Sequence, residues 1–392
     1  MTEAAFPERT QQAPATGDGR LARYLDFLGQ DPRNPNLLND AANAAIDAGE
    51  TDIALDLLDR LAGIVPLTPA QLNLKGMALL RKGEAVVAAK LFSDLVEGGH
   101  DDPSLRFNLA WAKALLADHV GALALLDEAV LGTTPQAPVL RIQSLHHLGQ
   151  LDDALAEGTR LLDAQPGNTT LAGALSTVAM DAGDMASASA FAARGGDSSD
   201  ALITRGLIAL SSHQSGDAAT LLDHALEVRP AHPRAWLGRG LVRLKEGDAA
   251  AATRDLEAAA RQFGRHIGSW LAAGWAYFLQ GDVSAARRCF ETALALDANF
   301  AESHGSLAVL DIVSGKIEPA RRQTAVALRL DRQCFSGALA KSLLAEHDHN
   351  PLLAHRIRER AMAIAIGPNG ETIAQAIAAI GLVPGTPRNR PS

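Results

Sequence analysis

The sequence predicts an all-α fold, a solenoid of about nine helix-turn-helix units closed at its ends by capping helices. Three observations carry this. Alanine recurs at Ala54, Ala88, Ala122, Ala154, Ala188, Ala218, Ala252, Ala286 and Ala320, at spacings of 30 to 34 residues. Twelve residues before each stands a second slot (Ala42, Gly76, Ala110, Ile142, Ser176, Gly206, Gly240, Gly274, Ala308), small in eight cases of nine. Five residues before each stands a turn slot, glycine in seven of nine, with Ala117 and His213 as the exceptions. A fixed period of this length marks a repeat array.

Each slot has a physical reason. Glycine ends a helix by taking the left-handed conformation at little cost. Small residues on both sides of the turn let the two helices of a hairpin approach closely. The unit is therefore a hairpin of about 34 residues. An array also resolves the length of the chain, 392 residues. That is too many for one compact core, but each repeat needs to bury itself only against its neighbours. The units at 135–168 and 169–198 depart from the pattern, with Ile142 in a small slot and Gly195 in an alanine slot, so irregular packing is expected there.

In residues 267–300 the slots hold Trp270, Ala273, Gly274, Tyr277, Ala286, Phe290 and Ala293. The preceding unit has Trp236, Gly240, Ala252, Leu256 and Ala259, and Pro66, Pro166 and Pro230 fill a helix-ending slot. This arrangement resembles the tetratricopeptide repeat family, in its multi-repeat bacterial form. The resemblance implies a right-handed superhelix over residues 35–334 whose first helices line a concave groove. Residues 19–34, including RLARYLDFLGQDP, match the second helix of a repeat and read as an N-terminal capping half-repeat. Residues 335–382 read as C-terminal capping helices, broken at Asn350-Pro351 and Gly367-Pro368, with Leu353, Ile357, Ala361 and Ile364 on one face. The ends, 1–18 and 383–392, have the composition of disordered tails.

Composition narrows the function. The chain is 47% hydrophobic, 4% aromatic and of net charge −9. This overall charge argues against nucleic acid. Residues 1–200 carry 27 acidic and 14 basic side chains, the remainder 18 and 22. That dipole either steers charged partners or keeps the chain soluble. Two cysteines, Cys289 and Cys334, are too few for a disulfide framework. No signal peptide and no apolar run of membrane-spanning length is present, so a cytoplasmic protein without membrane insertion is expected.

The groove positions that the resemblance implies divide into two sets. Asn39, Asn43, Asn73 and Asn108, with Met77, Arg81, Phe107 and Trp111, form an amide-rich set that could hold a peptide backbone. Phe107 and Trp111 read either as binding anchors or as packing between repeats. Leu237, Leu241, Leu244, Leu271, Trp275, Phe278, Val309 and Ile312 form an apolar stripe, open to a partner or covered by the chain's own terminal helices. The family's chaperone-tail clamp needs two lysines and an arginine. Asn43 matches one of its asparagines, while Asn39, Leu74, Ser104 and Asn108 occupy the other places, so a terminal carboxylate would find no cation.

No phosphate-binding loop, metalloprotease motif or paired-cysteine motif occurs. His146-His147 project about 100° apart on a helix, and His347-Asp348-His349 with His355 lacks a fourth ligand, so no metal, cofactor or enzymatic activity is expected. The expected function is a non-catalytic scaffold, an adaptor or assembly factor, that binds a protein or peptide segment in its groove. The alternatives are a self-assembling structural protein or an accessory subunit of an enzyme or of an envelope or secretion complex.

Overall fold

Every turn slot holds a residue in the left-handed region. In a computed structural model that describes residues 17–363, φ is +84° at Gly49, +87° at Gly83 and +88° at Gly281, and also positive at Gly149, Gly183, Gly247 and Gly315. Ala117 (+62°) and His213 (+63°) adopt it without the freedom of glycine, and so does His349 (+56°). The left-handed turn is thus imposed by the hairpin and not by the residue that fills it. A side chain there costs about 1–2 kcal/mol.

The chain divides into two compact units between Ala182 and Gly183. In the first unit, α1 (Gly17–Gln30) packs on α2 (Pro35–Ala48), which pairs with α3 (Thr51–Ala62). Next come α4 (Pro69–Lys82) with α5 (Ala85–Glu97), and α6 (Pro103–Leu115) with α7 (His119–Leu125) and α8 (Glu128–Thr133). The unit continues through α9 (Ala137–His147), α10 (Leu151–Ala164) and α11 (Thr169–Asp181). Proline at the first helical position and a side-chain cap start several first helices. Asn34 caps α2, Thr68 makes a capping box with Gln71 on α4, and Asp102 caps α6.

The second unit begins with α12 (Met185–Gly195). Its hairpins are α13 (Ser199–Ser211) with α14 (Ser215–Val228), α15 (Pro233–Glu246) with α16 (Ala249–Phe263), and α17 (Ile267–Gln280) with α18 (Val283–Leu296). After α19 (Ala301–Val313) and α20 (Ile317–Leu330) come α21 (Phe335–His347) and α22 (Pro351–Met362). The last pair keeps the repeat register, with Ser342 in the small slot, His349 in the turn and Ala354, fully buried, 34 residues after Ala320. This region is a tenth hairpin. Within α22 the buried face is Ala354 and Ala361, while Leu353 is 43% exposed and so does not belong to the inward face expected for it. Ile364, the third expected capping stretch and both expected tails lie outside the described residues.

The core of each hairpin is one exchange of volume. A methyl group on Gly240 would stand 2.6 Å from Leu256 Cγ, and one on Gly206 would stand 2.8 Å from Leu222 Cγ. At Gly76 and Gly274 it would run into the rings of Phe92 and Phe290, both fully buried. The α9–α10 pair inverts this arrangement. Fully buried Ile142 fills the small slot, and opposite it stands Gly158, where a methyl group would lie 3.2 Å from Ile142 Cδ1. Packing is conserved in volume while its two halves change places.

The irregularity expected over 135–198 starts earlier. The second helix of the third hairpin breaks at Leu126, and Asp127 caps the new helix by accepting from the Val130 N–H at 3.0 Å. Arg141 compensates for the break. Its Nη1 donates to the Leu126 carbonyl at 3.0 Å, and its Nε donates to Glu157 at 2.5 Å.

Ion pairs tie successive hairpins together. On α13, Asp200 lies 2.9 Å from His232 Nε2 before α15. Burial alone would raise the Asp200 pKa, but the hydrogen bond and charge of His232, with Arg229 and Arg234 nearby, hold it at about 2. Within the α15–α16 hairpin Asp255, 2% exposed, accepts from Arg239 at 2.8 Å and from Arg243 at 2.7 Å, and Arg239 also reaches Asp223 of the preceding hairpin at 2.8 Å.

Two outcomes are expected. Gly274→Ala should lose about 1–3 kcal/mol in denaturant unfolding through overpacking, whereas Ala117→Gly should gain about 1 kcal/mol by relieving the left-handed turn. The Asp200 contribution should be complete above about pH 4, the unfolded-state range, and fade as pH falls towards about 2. Acid titrations of the wild type and Asp200→Asn should therefore converge across that window, and parallel curves would remove this assignment.

Candidate functional site

First helices touch in succession within each unit, α2 with α4 and α4 with α6, then α17 with α19 and α19 with α21. Side chains at equivalent positions therefore form continuous stripes on this face. The stripe of the first unit is polar and wired to itself. Gln71 Nε2 donates to Asn39 Oδ1 at 2.9 Å, and Asn43 Nδ2 donates to the Asn39 carbonyl at 2.8 Å. Asn108 Nδ2 donates to Asn73 Oδ1 at 2.9 Å, and Arg81 Nη1 donates to the Ile46 carbonyl at 2.7 Å. Each of these bonds except that of Asn43 joins one first helix to its neighbour.

Burial sorts the remaining members. Met77 is half-buried. Phe107 and Trp111 are 8% and 9% exposed, with ring centroids 6.3 Å apart, so most of their surface is committed to the interior. The stripe of the first unit thus leaves Asn39, Asn43 and Asn73 half-buried and keeps Asn108, Phe107 and Trp111 inside.

The second unit reverses that. Leu237, Leu241 and Leu244 on α15 are half-buried against the core below α17. Leu271 is buried in the core beside Phe290. Trp275 and Phe278 pack edge to face at 5.5 Å and are half-buried. They pack about a buried cluster of Ala308, Val309 and Ala340, together with Ile312, Leu339 and Leu343. Leu279 and Val313, each 55% exposed, border this lane in the slot that Arg81 holds in the first unit. The stripe thus runs from α15 to α21, one hairpin further than the sequence reading carried it. Leu343 lies 34 residues after Val309, the spacing that would have revealed it.

Chemistry-bearing groups are occupied elsewhere. Burial pushes the thiols of Cys289 and Cys334 up to about 11 and about 12, so both stay protonated. His146 meets Asp181 at 2.8 Å, and His119 stacks on His147 at 4.5 Å. Asp348 pairs with Arg321 at 2.5 Å. Among the described residues no group of three His, Cys, Asp or Glu side chains is placed to hold a metal ion. No described helix is long and apolar enough to cross a membrane.

Tetratricopeptide repeat models match residues 39–103, 203–269 and 268–300. These segments are tetratricopeptide repeats. Repeats of this family generally form protein-interaction scaffolds. Among solved structures, the human IFIT1 dimer with m7Gppp-AAAA is similar at a TM-score of 0.51 and 14% identity, over 90% of this chain and 95% of that one. The APC/C hetero-tetramer Cut9-Hcn1 is similar at a TM-score of 0.47 and 15% identity, over 94% of this chain and 90% of that one. At 14% identity the likeness to the IFIT1 structure is one of fold alone. No curated protein sequence matches the chain.

Because the Asn108–Asn73 bond joins two repeats and Asn108 is 5% exposed, Asn108→Ala should lower stability by about 1–2 kcal/mol. Asn73→Ala should cost a similar amount, and the double variant less than the sum of the two. Additive losses in a double-mutant cycle would show that the amides do not act as a pair.

Proposed function

We propose that this protein is a non-catalytic adaptor that holds an apolar, helix-forming segment of a partner protein on the first-helix face of its second unit. The observation that supports this most is the lane of half-buried Leu241, Leu244, Trp275, Phe278, Ile312 and Leu343, bordered by exposed Leu279 and Val313. Leaving such a lane in water is unfavourable at roughly 25 cal/mol per Å². An amphipathic helix, with apolar residues spaced at three and four, is the segment whose shape suits a groove between parallel helices. Trp275 and Phe278 would serve as anchors, being large, rigid and desolvated at low entropic cost. The fold alone does not choose the partner.

The test uses the most exposed members, so that binding and folding separate. A displayed library of peptides selected on the full chain should enrich sequences with apolar residues at helical spacing. Leu279→Ser/Val313→Ser should weaken these by about tenfold, roughly the loss of two apolar contacts, with an unchanged thermal midpoint. Binders that ignore this variant and respond to Asn39→Ala would move the site to the first unit. Binders indifferent to both would remove the groove reading.

A further inference from the structure

The second helices of the second unit carry a feature that the groove does not use. Two residues after the repeat alanine stand Arg254, Arg288, Arg322 and Arg356, on α16, α18, α20 and α22 in turn. The spacing is 34 residues at each step, and all four are exposed. The same slot of the first unit holds Asp56, Lys90, Ala124 and Ala156. Among the described residues none of the four arginine side chains makes a hydrogen bond or a close ion pair, although the charge of Arg288 reaches Glu257 and Asp282. The carboxylates beside them are already engaged. Glu257 is held by Tyr277 and Arg261, Glu291 by Arg287, Glu318 by Arg321 and Glu359 by His355. What remains on this face is a row of guanidinium groups, one on each of the last four second helices, while α12 and α14 hold Ala190 and Thr220 in this slot.

We propose that this arginine row is a second docking surface, and that its occupant is a carboxylate-rich segment of a partner protein. Arginine presents a planar fork that matches a carboxylate, and a row of four favours a chain that offers acids repeatedly. Two other polyanionic occupants fit less well. Of the phenylalanines on these four helices, Phe290 is buried and Phe263 is packed on His266 at 4.9 Å, so no aromatic platform for bases interleaves the arginines. A second copy offers its outer acids singly or in twos on separate helices, and several are paired, Asp59 with Lys75, Asp94 with Lys90 and Glu128 with Arg160. The surface stands independently of the groove reading, because it lies on the other helix of each hairpin.

The experiment is a titration of the full chain with a labelled oligoglutamate peptide, read by fluorescence anisotropy over a salt series. The wild type should bind, and more weakly as salt rises. Changing Arg254, Arg288, Arg322 and Arg356 to Gln should weaken binding about tenfold or more and flatten the salt dependence, with the thermal midpoint held. A control with Arg20, Arg23, Arg33 and Lys90 changed to Gln alters the net charge equally and should keep most of the binding. Equal losses in the two variants would show a net-charge effect and overturn the site. Tighter binding of single-stranded DNA than of the peptide at matched salt, or self-association that disappears in the arginine variant, would overturn the choice of occupant. No binding by the wild type would overturn the proposal outright.

Discussion

How closely the two helices of a hairpin can approach is the constraint on which the rest of this molecule depends. A Cβ at Gly240 or Gly206 would stand inside the contact distance of a leucine across the hairpin. At Gly76 and Gly274 the obstacle is a buried phenylalanine ring. With a small residue on one side and a large apolar side chain on the other, the two helices of these hairpins come into direct contact. Once closed, a hairpin forces the left-handed turn, which even Ala117, His213 and His349 adopt. The turn fixes the second helix relative to the first, and stacking then aligns equivalent side chains into stripes. Both candidate surfaces inherit their continuity from this single fit.

The fold was legible because its determinants are local and repeated. Nine alanines in register, with small and turn slots at fixed offsets, identify the hairpin whatever the surface residues are. Two features hide the tenth hairpin in the sequence. Its turn residue is His349 in place of glycine, and Asn350-Pro351 looks like a helix stop although it is the cap and first position of α22. The break at Leu126 was invisible because its cause is tertiary. It depends on Arg141, fifteen residues away, to take up a freed carbonyl.

The candidate site was legible as a face but not as a surface. Register places Phe107 and Trp111 on the groove side with Asn73 and Asn108, yet it cannot distinguish a side chain standing over the groove from one folded beneath it. That depends on neighbouring volumes, and both aromatics turn inward. The asparagines show the same limit for polar groups. Residue type promises free donors and acceptors, while the fold uses part of that capacity for bonds between repeats. In the second unit the large side chains exceed what the core can hold, so Trp275 and Phe278 remain partly outside it.

The inverted pair Ile142 and Gly158 has a consequence for how such a chain can change. Repeats with the usual pattern are interchangeable parts, since each presents the same shape to either neighbour. The α9–α10 hairpin is not one of them. A methyl group on Gly158 would also collide with Leu175 of α11, so the inversion is keyed to the next helix as well as to its own partner. A duplication or transplantation of this hairpin alone would bring isoleucine and glycine against neighbours shaped for the opposite order. Lengthening of the array by recombination is therefore obstructed here, which pins the order of the repeats around residue 158.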